Sequence, residues 1–97
     1  MTRVALFCEL HVIDGYMEEF LPIINNHSET CLELENGCML FQVSKDRDNQ
    51  NIVRIYEEYR GQQHVDIHNS TDRFRDLNAK IEHMLSEVIV RTTDLLS

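Results

Sequence analysis

Histidine titrates near neutral pH, so the five histidines of this 97-residue chain are the first candidates for proton transfer. His68 precedes Asn69-Ser70 in a stretch that reads as a short helix. There it could act as a general base toward a phenol or an α-hydroxyketone, or merely hydrogen-bond a nearby backbone group. His27 falls on the apolar side of a longer helical stretch, where a polar residue needs a reason. Flanked by Asn26 and Ser28, it either lines a pocket or is a core histidine satisfied by a carbonyl or water. Tyr56 and Glu58 share one face of a strand, and Glu57 and Tyr59 share the other. Whichever pair faces the helices can exchange hydrogen bonds with a ligand. The competing reading is a core tyrosine and a glutamate paired with Arg54 or Arg60.

His64 and His68 stand four apart, a spacing that can chelate a metal ion. No third ligand is placed by the sequence, and no metal is expected. Three glycines leave no room for a Gly-rich phosphate loop or a flavin fingerprint. Cys8, Cys31 and Cys38 are an odd number with no C-x-x-C spacing, so reduced structural thiols are expected.

The elements that must position these groups are legible from periodicity. Val4, Leu6, Cys8, Leu10 and Val12 alternate, which makes a strand; Ala5 and Phe7 make it apolar on its other face as well. After Asp14-Gly15, residues 17–34 carry Phe20, Ile24, His27, Cys31 and Leu34 at helical spacing. Pro22 lies past the first turn of that helix, so a kink or a later start is expected. Glu35-Asn36-Gly37 reads as a stop, with Gly37 in a left-handed position. Residues 38–44 and 52–60 form a hairpin around a polar loop. A short helix over 61–69 follows, then a helix capped by Ser70-Thr71-Asp72 that places Phe74, Leu77, Ile81, Met84 and Leu85 on one side. A last strand spans 87–95. The order is that of an α+β, ferredoxin-like βαββαβ sandwich with an antiparallel sheet, and residues 1–97 read as one domain. Ala5, Phe7, Leu40 and Ile89 are candidates for the open sheet face, which a second copy would cover.

Composition narrows the partners. A net charge of -8 with scattered Lys and Arg argues against nucleic acid. No stretch is long and apolar enough to span a membrane, and Glu9 and His11 spoil a signal-peptide reading, so a cytoplasmic protein is expected.

These pieces resemble the antibiotic biosynthesis monooxygenase (ABM) family. The resemblance runs through Gly15 with Glu18-Glu19-Phe20-Leu21, Glu35-Asn36-Gly37-Cys38-Met39-Leu40-Phe41, Tyr56-Glu57-Glu58-Tyr59 and His68-Asn69-Ser70. It covers nearly the whole chain in order. Two positions depart from it: Arg73 stands where many members carry a second histidine, and Tyr59 replaces the usual tryptophan. The Asn-Trp-His set of haem-degrading relatives is not assembled here. The resemblance implies a dimeric α+β barrel with a pocket inside each monomer. It also implies a cofactor-independent monooxygenase acting on a small phenolic or quinol substrate, with His68 as base. Candidate substrate contacts are His27, Asn26, Tyr56, Arg73 and Phe41. An isomerase of a small, possibly phosphorylated hydroxyketone is similar in the same respects. A non-catalytic metabolite-binding dimer is the third possibility. For that reading, Arg73 in the cavity would favour an anion.

Overall fold

The computed structural model describes residues 2–97. Strand β1 (Val4–Val12) leads into helix α1 (Met17–Leu34), and strands β2 (Cys38–Lys45) and β3 (Ile52–Tyr59) follow. Helices α2 (Gln62–Asn69) and α3 (Asp72–Ile81) come next; a 3-10 turn at Glu82–Met84 then delivers strand β4 (Leu85–Asp94). The four strands form one antiparallel sheet in the order β2-β3-β1-β4. This is the expected βαββαβ arrangement, with the second helix split in two.

Alternation along β1 sets the two sheet faces. Val4, Leu6, Leu10 and Val12 are buried beneath the helices with Cys8 packed beside them, while Phe7 is 48% exposed on the opposite face. Register carries that division across the sheet. Phe41, Glu57, Leu6 and Thr92 form one cross-strand row on the helix side. Gln42, Tyr56, Phe7 and Arg91 form the next row, on the outer side. Ala5 is also on the outer side but fully buried, and Leu40 and Ile89 are half-buried there.

Helix α1 lays Phe20, Ile24, His27, Ser28 and Cys31 on the sheet. Ser28 satisfies its hydroxyl by donating to the Phe41 carbonyl at 2.8 Å, which ties α1 to β2. Two local expectations are corrected. The helix begins at Met17 and runs unbroken through an exposed Pro22 rather than starting after it. Gly37 does not adopt a left-handed conformation; among the described residues only Gly15 has a positive φ, at 94°. Gly37 is small for another reason: a Cβ there would lie 2.1–2.4 Å from the ring and Cβ of His64. The α1–β2 connection and the first turn of α2 approach too closely for any side chain between them.

The helical layer stops short of β4. Val88 and Val90 pair with Leu10 and Cys8 on the helix side, yet both are about half exposed, at 51% and 49%. Space is therefore left between β4, α3 and the sheet. Among the described residues, no helix is long and apolar enough to cross a membrane.

Candidate functional site

That space is a cavity of about 570 Å³ bounded by the four strands and the three helices. Its walls are mostly aliphatic and aromatic, but besides the Cys8 thiol three ionisable side chains reach it: His27, Glu57 and His68. All three are buried, at 5%, 5% and 3% exposure. An apolar cleft with a few convergent polar groups is the usual form of a small-molecule site.

His68 occupies the last turn of α2, where the chain turns into α3. Thr71 fixes this corner. Its hydroxyl donates to the His68 carbonyl at 3.0 Å and accepts the Phe74 amide at 3.1 Å as the N-cap of α3. The imidazole is held between the rings of Phe74 and Tyr59, with centroids 5.0 and 5.4 Å away. Its Nδ1 lies 2.8 and 3.0 Å from the two Glu35 oxygens, an arrangement satisfied by a donated N–H. Glu35 in turn accepts from the Arg73 guanidinium. Burial alone would raise the Glu35 carboxyl. The hydrogen bond from Arg73 and the charge and hydrogen bond of His68 outweigh it and hold the group below the ordinary glutamate range. The carboxylate thus orients the ring and leaves Nε2 on the side away from it.

Nε2 faces the second carboxyl, Glu57, whose Oε1 is 3.9 Å away. Desolvation raises the Glu57 pKa, against the lowering effect of the Tyr59 hydroxyl, which donates to it at 2.6 Å. The same burial, followed by the nearby Glu57 charge, pushes the Cys8 thiol up to about 12. His27 is held neutral: burial, then the His68 and Arg73 charges, depress it to about 4. Its Nε2 sits 3.4 Å from the thiol of Cys31, which burial and the Glu35 charge raise to about 12, so the thiol is the donor.

Of the six residues singled out in the sequence, His68, His27 and Phe41 line this cavity. Asn26 is exposed and lines a separate groove between α1 and α3, together with Arg73 and the other edge of His27. Arg73 reaches the site only through Glu35, so its charge is already paired rather than offered to an anion. Tyr56 lies on the outer sheet face, where its hydroxyl donates to Glu58 at 2.9 Å. The helix-facing pair is Glu57 and Tyr59. Sequence reasoning placed Glu35 in a helix stop and Cys31 among structural thiols, and missed both at the site. His27, Cys31 and Glu35 stand at four-residue steps through α1 and its C-cap, the one signal that could have drawn attention to them. The chelate suggested for His64 and His68 does not form, since His64 packs over Gly37.

The description antibiotic biosynthesis monooxygenase belongs to the family profile that matches residues 3–80. The chain belongs to the ABM family. Its fold superposes on that of a Caulobacter crescentus CB15 protein, itself provisionally described as a monooxygenase of this kind. The TM-score is 0.95 at 16% identity, over 99% of this chain and 92% of that one. A conserved Methanosarcina mazei Go1 protein gives 0.89 at 21% identity, over 96% and 92%. A provisionally named monooxygenase from Fusobacterium nucleatum gives 0.93 at 25% identity, over 99% of this chain but 44% of that one. At these identities the likenesses establish the shared α+β fold. No curated protein matches the ABM chain by sequence.

Proposed function

We propose that this ABM protein, one domain over residues 1–97, is a cofactor-independent monooxygenase acting on a small phenolic or quinol substrate inside the monomer. The Glu35–His68 pair at the cavity wall carries this reading. Glu35 holds Nδ1–H, so Nε2 is presented as a base in a largely apolar space that excludes water. His68 removes the phenolic proton, and the electron-rich ring carbon of the anion forms a C–O bond with dioxygen. The resulting hydroperoxide loses its O–O bond and the ring C–H proton. One oxygen remains as a carbonyl and the other leaves as water. Phenol plus dioxygen gives quinone plus water, with four electrons passing from ring to oxygen. His27 and Phe41 bound the ring's binding space, and Arg73 acts as a positioning residue through Glu35.

Facing carboxyl and imidazole groups also suit proton transfer between adjacent carbons of a hydroxyketone. The 3.9 Å approach of Glu57 to His68 favours this second reading. An oxygen electrode decides between them across a panel of naphthols, dihydroxyphenols and hydroxyketones. Oxygen uptake at one mole per mole of quinone formed is expected, and it should disappear in His68→Gln. Turnover of a hydroxyketone in the absence of oxygen would instead establish the isomerase.

Assembly belongs to the same proposal: a homodimer buries the outer face around Phe7, whose ring packs on Tyr56 at 5.0 Å. Phe7→Glu should convert the dimer to a monomer by light scattering. Three unbridged thiols suit a reducing cytoplasm.

A further inference from the structure

Cys31 takes no part in that proton transfer, yet it is fully buried between two imidazoles. Its Sγ lies 3.4 Å from His27 Nε2 and 3.9 Å from His68 Nδ1, and the three donor atoms all fall within 4.8 Å of one another. Metal–nitrogen and metal–sulfur bonds of about 2.0 and 2.3 Å meeting at the tetrahedral angle give an N···S edge of roughly 3.6 Å. The two observed separations bracket that edge. We propose that His27 Nε2, Cys31 Sγ and His68 Nδ1 bind one zinc-class divalent cation, and that Glu35 Oε1, which touches His68 but lies outside that three-residue cluster, turns in as the fourth ligand.

The secondary structure builds the set. His27, Cys31 and Glu35 stand at successive four-residue steps, and the Glu35 amide still donates to the Cys31 carbonyl at 2.9 Å. Glu35 therefore keeps helical register although it terminates α1. Helix α2 brings His68 from the other side. Oε1 of Glu35 is 2.8 Å from His68 Nδ1. That is closer than the roughly 3.3 Å edge of a filled site, so a small opening of this pair admits the ion. One thiolate with two imidazoles selects zinc, cobalt or copper over magnesium or calcium. The thiolate offsets one of the two positive charges, and the Glu35 carboxylate is shared between the ion and Arg73.

The surrounding contacts suit a metal centre too. Glu35 Oε2 remains with Arg73, and His68 Nε2 faces Glu57, the carboxylate–histidine support that metal-bound imidazoles use. His27 and His68 border the cavity, which provides the entry path. Because Nδ1 cannot hold both a proton for Glu35 and a cation, the loaded protein has no free base at His68. Cation binding itself is independent of which reaction the cavity carries.

Titration of the whole chain with Co²⁺ alone, under reducing conditions, tests the site. One equivalent should give a tetrahedral d–d spectrum with a thiolate-to-cobalt charge-transfer band, and Zn²⁺ should displace it while raising the melting temperature. Cys31→Ser should abolish the charge-transfer band, whereas Cys8→Ser and Cys38→Ser should retain it. His27→Gln should weaken Zn²⁺ by at least the 10–100-fold that loss of an outer-shell partner costs, about 1.4–2.7 kcal/mol. Should Cys31→Ser fail to fold, the two other cysteine variants and His27→Gln still decide the matter. A featureless wild-type titration overturns the proposal. So does a band that depends on Cys8 or Cys38, or one that is indifferent to His27.

Discussion

Strand β3 carries the same pair of residue types on both faces of the sheet. On the outer face Tyr56 donates to Glu58 at 2.9 Å, and on the inner face Tyr59 donates to Glu57 at 2.6 Å. The outer pair is partly solvated and Glu58 has Arg3 within 3.7 Å, so little distinguishes it from any surface contact. Beneath the helices the inner pair meets His68, walled by Phe41, Phe74 and aliphatic side chains. The same residue types thus make a partly solvated contact beside Arg3 on one side and, on the other, a buried carboxyl whose proton affinity desolvation raises. Environment, more than residue type, separates the two.

The largest contrast should appear in turnover. Removing a positioned base costs about 10²–10⁴ in rate, so His68→Gln should lose that much kcat once a substrate is found. Tyr56→Phe should leave kcat and KM within twofold of wild type. Steady-state kinetics on the two variants checks this directly. A crippled Tyr56→Phe enzyme beside an active His68→Gln would place the chemistry on the outer face.

Stability comes next. Tyr59 is fully buried, and its loss of a hydroxyl strands an oxygen of the buried Glu57. Tyr59→Phe should cost about 1–3 kcal/mol in urea unfolding, the penalty for an unsatisfied buried acceptor. Tyr56→Phe should stay within about 0.5 kcal/mol, as partly exposed substitutions do. A comparable effect arises where backbone segments touch. Gly37→Ala should cost about 1–3 kcal/mol through overpacking against His64, although no left-handed φ is at stake.

These contrasts also mark what could be read along the chain. Alternation in β1 and the helical stripe from Phe20 to Cys31 depend on neighbours in sequence, and both elements stand where periodicity puts them. Pairing Glu35 with His68 depends on a contact spanning 33 residues, created when α2 docks beside the end of α1. Locally Glu35 looks like part of a helix stop, and that is also true. In β3 both faces are apolar near Ile52 and Val53, so the inward face could not be chosen without the register to β1. The sequence leaves Tyr56/Glu58 and Glu57/Tyr59 as equal candidates for that face. Arg73 looks like a free charge in the sequence because its partner, Glu35, lies 38 residues away at the end of α1. Gly37 was assigned to backbone conformation, since a side chain arriving from α2 leaves no mark in the local pattern.

The smallest effect is expected on the outer face, at Arg54. Its guanidinium reaches Asp46 at 2.9 and 3.2 Å and also pairs with Glu9. The His11 hydrogen bond and then Arg54 lower the Glu9 pKa, and two turn amides with Arg54 lower that of Asp46. Folded-state carboxyl pKa values below their unfolded ones contribute stability above the unfolded values. That contribution is lost as pH falls through the folded ones. Wild-type stability should therefore exceed that of Arg54→Gln slightly at neutral pH, and the two should converge in acid. Exposed pairs of this kind are screened, so 1 M salt should erase the neutral-pH difference as well. Thermal melts at low and high salt read the outcome. A difference that survives high salt would mean that the outer face is covered around Arg54 and not only around Phe7. The network would then sit inside the proposed homodimer interface rather than at its margin.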